Sequence, residues 1–155
     1  MKSLFSFKVK QKIYQIGTVK VGGQPGELPT LLIGNIFYKG MPEVVDHKTG
    51  RFNQKAVLKW IDETEELSQK TGVPHFLDIM ALYPGAMKKY IAFISEHSDS
   101  ALLVDGATTE TRKAGLKTVR ELGLQDRTVF NAVSPQTAED ELEAIQESGV
   151  TASVF

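Results

Sequence analysis

Cysteine is missing from this 155-residue chain, which excludes disulfides, thiolate nucleophiles and cysteine metal sites. Histidine is scarce as well. His47, His75 and His97 show no paired ligand spacing, and scattered histidines are more often surface or packing residues than a metal site; no metal is expected. Charge of one sign is also lacking: 18 basic and 19 acidic side chains leave a net −1, which gives no electrostatic reason for a phosphate backbone or an anionic membrane as partner. No apolar run is long enough to span a bilayer, and the start, Met1-Lys2-Ser3-Leu4-Phe5, has neither a long apolar segment nor a small-residue cleavage site. The expectation is a cytoplasmic protein without membrane insertion.

What is present is 41% hydrophobic residues, enough for one core and one domain over 1–155. Residues 1–23 read as a hairpin unit: from Phe5 to Val21 apolar residues alternate in short stretches, interrupted by Gly17-Thr18. Gly22-Gly23-Gln24-Pro25-Gly26 then breaks regular structure. It lacks the Gly-x-x-x-x-Gly-Lys pattern and precedes a strand where an anion loop should follow one, so it reads as a turn.

Residues 30–155 read as four strand–helix units and a fifth strand. The expected strands are Thr30 to Gly34, His75 to Met80, Ala101 to Asp105, Thr128 to Val133 and Val150 to Phe155. Between them lie helices from a cap at Asn53 to Lys70 (inner face Val57, Leu58, Ile61, Leu67), from Pro84 (Met87, Tyr90, Ile91, Ile94), from Thr109 to Leu122 (Leu116, Val119, Leu122) and from Pro135 to Ser148 (Leu142, Ile145). A repeat of about 25 residues implies right-handed βαβ units in an α/β fold with a parallel sheet. Composition alone does not separate a doubly wound sheet from a (β/α)₈ barrel; if it is a barrel, this length supplies about half of one.

In either architecture functional groups gather at the carboxyl ends of the strands. Asn35 after strand one, Asp78 late in strand two, Asp105 closing strand three and Asn131 inside strand four meet that test. Carboxylates and carboxamides at neighbouring strand ends suit a ring that carries both N–H donors and a carbonyl or ring-nitrogen acceptor. Asp105 also suits a plain turn with Thr108 or Thr109 capping the next helix. Asn131 is sharper, because asparagine is depleted in strands and a buried amide needs partners. Asp78 fits equally a residue aimed into the mouth or one bonded to a backbone amide. Tyr38, in the loop after strand one, suits ligand contact better than Phe37 or Trp60. The acidic stretches Asp62 to Glu66 and Glu139 to Glu143 read as solvated helix faces.

The segment Val19-Lys20-Val21-Gly22-Gly23-Gln24-Pro25-Gly26-Glu27-Leu28-Pro29-Thr30, with Ile33-Gly34-Asn35-Ile36-Phe37-Tyr38 after it, resembles the H subunit of tetrahydromethanopterin S-methyltransferase. The likeness continues through Met87 to Ile91, Leu103 to Asp105 and Val129 to Asn131. The resemblance implies a pterin-binding TIM barrel, of which this chain is the N-terminal half. It implies methyl transfer between a tetrahydropterin, either tetrahydrofolate or tetrahydromethanopterin, and cobalamin on a corrinoid partner protein. Asp105 and Asn131 match two of the family's pterin contacts and would be the catalytic pair, with Asp78, Asn35 and Tyr38 as further pterin contacts. The remaining contacts are expected on later strands beyond Phe155, so this chain alone is expected to be inactive. A non-catalytic half-barrel that binds a pterin or a partner chain is the alternative, and the open sheet edge of either form implies a homo-oligomer, a dimer as in bacterial relatives.

Overall fold

A computed structural model describes residues 5–155; the first four positions of the expected hairpin unit lie outside them. The hairpin is β1 (Ile13–Ile16) against β2 (Val19–Gly22), with Ile16 opposite Val19 across Gly17-Thr18. Gly17 has φ +56°, the left-handed backbone that a two-residue hairpin turn requires. Residues 5–12, expected within the hairpin, form no strand; they are tied down instead by Gln24, whose Oε1 accepts from Phe7 N at 2.8 Å.

The main sheet joins β3 (Leu32–Ile36), β6 (His75–Ala81), β7 (Ala101–Gly106), β8 (Thr128–Phe130) and β9 (Ala152–Ser153). Two short strands, β4 (Val44–Asp46) and β5 (Arg51–Phe52), form an antiparallel pair inside the loop after β3. The long helices are α1 (Gln54–Thr71), α2 (Pro84–His97), α3 (Thr109–Glu121) and α4 (Glu139–Ser148). All five main strands run parallel in the order β3-β6-β7-β8-β9, which is also their order in the chain. A doubly wound sheet reverses its order at a switch point; sequential order belongs to the (β/α) barrel, and this chain forms about half of one.

The helices all lie on one face. Ile36, Leu77, Ile79, Leu102, Val104 and Phe130 form one core with Val57, Ile61, Met87, Ile91, Leu116 and Val119, and Ile145 of α4 packs against it. Gly115 lets α3 come close: a Cβ there would lie 2.6 Å from Val104 Cγ1 and 3.1 Å from Met87 Cγ. The opposite face is covered at its amino-terminal end by the hairpin, where Ile16, Val19 and Val21 meet Phe76, Ala101, Leu103 and Val129.

Helix starts follow their caps. Asn53 Oδ1 accepts from Ala56 N at 3.2 Å, Thr108 Oγ1 accepts from Thr111 N at 3.2 Å, and Pro84 opens α2. Several expectations need correction. Strand β3 runs two residues later than expected, so Asn35 lies within it, paired with Asp78. Strand β8 ends at Phe130, so Asn131 is the first residue past it, although its N–H still donates to Val104 O at 3.1 Å. The fifth strand is only Ala152–Ser153. Helix α4 begins at Glu139 because Ser134 to Thr137 form a local turn, with Thr137 Oγ1 accepting from Ser134 N at 2.8 Å.

Three expected inner-face leucines are exposed: Leu67 at 61%, Leu122 at 46% and Leu142 at 45%. At 3.6 residues per turn, Leu67 lies roughly 80° around α1 from Val57, and Leu142 roughly 100° around α4 from the side of Glu141. Leu122 is the cap residue beyond α3. Glu141, expected on a solvated face, is instead 1% exposed.

Candidate functional site

Pleating divides each strand between the two faces, and register aligns the open-face residues into rows. Along β6 these are Phe76, Asp78 and Met80; along β7, Ala101, Leu103 and Asp105. The β3 residue beside Asp78 is Asn35. The open face therefore changes from apolar at the amino ends of its strands to polar at the carboxyl ends. The apolar part borders a hollow of ≈ 450 Å³ lined by residues including Ile33, Phe76, Leu103, Val129 and Ala152.

At the polar end the structure brings Asp78, Asp105 and Asn131 together. Asp78 is 5% exposed, and Asn131 Nδ2 donates to its Oδ1 at 3.5 Å. Burial pushes the Asp78 carboxyl up to about 6; the Asp105 charge adds to this, and the Asn131 hydrogen bond opposes it. Burial also raises Asp105, against the pull of the Arg112 guanidinium. The buried Asp78 carboxyl can hold a proton near neutral pH, both carboxylates can accept from N–H donors, and the Asn131 amide both donates and accepts. The chain leaves this corner through a cis Asn131–Ala132 peptide bond.

Asn35 is exposed, and its Nδ2 donates to Met80 Sδ at 3.3 Å. It borders the cluster through the Asp78 pairing. Tyr38 is 40% exposed, and among the described residues its side chain makes no hydrogen bond to the cluster; its backbone carbonyl accepts from Met41 N at 3.0 Å. Phe37 and Trp60 serve the core: Phe37 is stacked on Tyr90 with ring centroids 3.9 Å apart, and Trp60 lies 3.6 Å from where a Cβ on Gly34 would stand. Met80 was missed by sequence reasoning, although its position two residues after Asp78 in one strand carries the signal. Arg112 and Glu141 were missed too; the charge run that hides Glu141 gave no signal. Among the described residues no three His, Asp or Glu side chains gather as a metal site, and no helix is long and apolar enough to cross a membrane.

Sequential parallel strands with helices on one face place the chain in the (β/α)-barrel class. A family model described as the MtrH subunit of tetrahydromethanopterin S-methyltransferase matches residues 9–155, and the chain belongs to this family. The H subunit of tetrahydromethanopterin S-methyltransferase from Methanothermobacter thermautotrophicus is 38% identical over 151 residues, covering 97% of this chain and 49% of that protein. The corresponding H subunit from Methanopyrus kandleri is 37% identical over 145 residues, covering 94% and 45%. The H subunit of the putative methyltransferase mtx from Methanosarcina acetivorans is 38% identical over 152 residues, covering 98% and 49%. The chain spans about half the length of the curated relatives it matches.

Proposed function

We propose that this chain supplies part of the pterin site of a methyltransferase that moves a methyl group between a tetrahydropterin and a corrinoid carried on a partner protein. Membership of the family supports methyl transfer, and the relatives' names favour tetrahydromethanopterin over tetrahydrofolate as the pterin. The observation that carries the reading is the convergence of Asp78, Asp105 and Asn131 at the ends of adjacent strands.

A pterin's pyrimidine edge presents ring and amino N–H donors beside a carbonyl, which match a carboxylate next to a carboxamide. Asp105 and Asn131 would hold that edge, with Asn35 and Tyr38 at the rim. When the pterin is the donor, the N5–methyl bond breaks with its electron pair left on nitrogen, and that nitrogen needs a proton. Asp78, with its carboxyl at about 6, is about one-tenth protonated at pH 7 and can give or hold that proton. The corrinoid would supply the cobalt that takes or gives the methyl group. In this reading the protein is cytoplasmic, and the edges of β3 and β9, each paired on one side only, are open to the further strands of a barrel or to a second copy. Turnover needs the rest of the barrel, so this chain alone binds without catalysing.

Isothermal titration of the chain with methyltetrahydromethanopterin and methyltetrahydrofolate tests the assignment. Asp105→Ala and Asn131→Ala should each weaken binding about tenfold or more, the cost of a hydrogen bond to a charged or buried group. Variants that bind as tightly as the wild type would move the site elsewhere. Binding by a full-length relative but not by this chain would assign the affinity to the later strands of the barrel; binding by neither would end the pterin reading.

A further inference from the structure

Arg112 makes none of the ring contacts proposed above, yet it sits against the strand end that carries Asp105. Its Nη1 donates to Gly106 O at 2.9 Å, and its Nη2 donates to Glu141 Oε2 at 2.9 Å and to Thr109 Oγ1 at 3.2 Å, while Nε donates to the other Glu141 oxygen. Thr109 Oγ1 also donates to Glu141 Oε2 at 3.2 Å. This is a two-pronged guanidinium–carboxylate grip, and Glu141 is 1% exposed. The approach is close enough that a Cβ on Gly106 would lie 2.6 Å from Arg112 N and 2.7 Å from Arg112 Cγ.

Stability is a weak reason for such a pair, because well-packed apolar replacements of a buried ion pair are often neutral or stabilising. Its position gives a better one. The grip joins α4 to the carboxyl end of β7, one residue past Asp105. Two charged groups act on Asp105, Asp78 on β6 and Arg112 on α3, while Asn131 after β8 bonds Asp78, and Glu141 on α4 and Glu110 on α3 act on Arg112; Arg112 is the one that draws Asp105 toward its ionised form. We propose that Arg112 and Glu141 are a positioning pair for Asp105, fixing the strand end that carries it and presenting a charged carboxylate to the N–H donors of a bound ring. The proposal rests on the reading of Asp105 as a ring contact.

The test needs no ligand. The Asp105 carboxyl is titrated by ¹³C NMR in the wild-type chain and in the double variant Arg112→Met with Glu141→Leu, which removes both charges so that neither is left buried alone. The Asp105 midpoint should rise by about one pH unit, the low end of the influence of a neighbouring arginine. A folded double variant with an unchanged midpoint would overturn the proposal. The second arm is Arg112→Lys, which keeps a charge but cannot hold Gly106 O and Glu141 together. There the midpoint should stay near that of the wild type while the Ala107 amide, bonded to Ala81 O across the strands, exchanges with solvent about tenfold faster, the equivalent of one lost hydrogen bond. Unchanged exchange would overturn the positioning role, and that arm stands even if the double variant does not fold. Asp105→Ala in the pterin titration tests the site itself, so failure of the site and failure of the pair give different results.

Discussion

Replacing Asp78 by asparagine is expected to stabilise this fold, and by an amount that depends on pH. The carboxyl is 5% exposed and titrates at about 6 in the folded chain, against 3.8 for a free aspartate. A raised folded value means that the folded state holds the proton more tightly. The stability this contributes is fully present below 3.8 and is lost as pH rises through 6. The gap of about 2.2, at about 1.4 kcal/mol for each pH unit, amounts to about 3 kcal/mol. Asparagine stays neutral and keeps an oxygen for the Asn131 amide. The advantage of Asp78→Asn over wild type should therefore be about 3 kcal/mol at pH 7.5 and under about 1 kcal/mol at pH 4. Urea denaturation of both chains at the two pH values, followed by helix ellipticity, reads this directly. An equal gain at both values, or a loss at pH 7.5, would refute the argument that burial and the Asp105 charge oppose ionisation. A sequence that keeps a carboxylate at this cost is behaving as functional sites do.

Two further substitutions test the packing behind the site. Tyr90→Phe removes a buried hydroxyl that finds no hydrogen-bond partner among the described residues and leaves the ring stack on Phe37 intact. The variant should melt at the same temperature or be stabilised by up to about 2 kcal/mol, and a loss above about 1 kcal/mol would show that the hydroxyl is satisfied, for example by an enclosed water. Gly115→Ala should lose about 1–3 kcal/mol in denaturant although alanine is the better helix former by about 1 kcal/mol, because its Cβ would stand 2.6 Å from Val104 Cγ1; a gain would mean that α3 can shift away from β7.

The parallel repeat was legible because helices and strands differ in the period of their apolar residues, and because Asn53, Pro84 and Gly72 mark helix ends chemically. What composition left open, barrel against doubly wound sheet, depends on which strands pair, and pairing is not written in any one segment. Leucines mislead for a related reason. Leu67 and Leu142 count as apolar wherever they stand, whereas burial follows the angle around the helix, and in α4 that angle turns Glu141 inward to meet Arg112. In the candidate site, Asp78, Asp105 and Asn131 could be picked from their strand-end positions. Tyr38 could not be placed, because its loop folds around the β4–β5 pair and the turn closed by Met41 N on Tyr38 O. Met80 was within reach too, since strand alternation puts it on the same face as Asp78 two residues earlier.

The β1–β2 hairpin is seated by its far end. Gly17 N donates to Asp126 O at 2.8 Å, and a Cβ on Gly17 would lie 3.0 Å from Arg127 Cβ, so the turn rests on residues more than a hundred positions downstream. During synthesis the hairpin leaves the ribosome long before this seat exists: Phe76, Ala101 and Leu103 of β6 and β7, which cover part of its apolar side, are made before the Asp126–Arg127 turn and Val129 that complete it. Closing so long a loop costs entropy, so an element made early is fully seated only once residues more than a hundred positions later have been made.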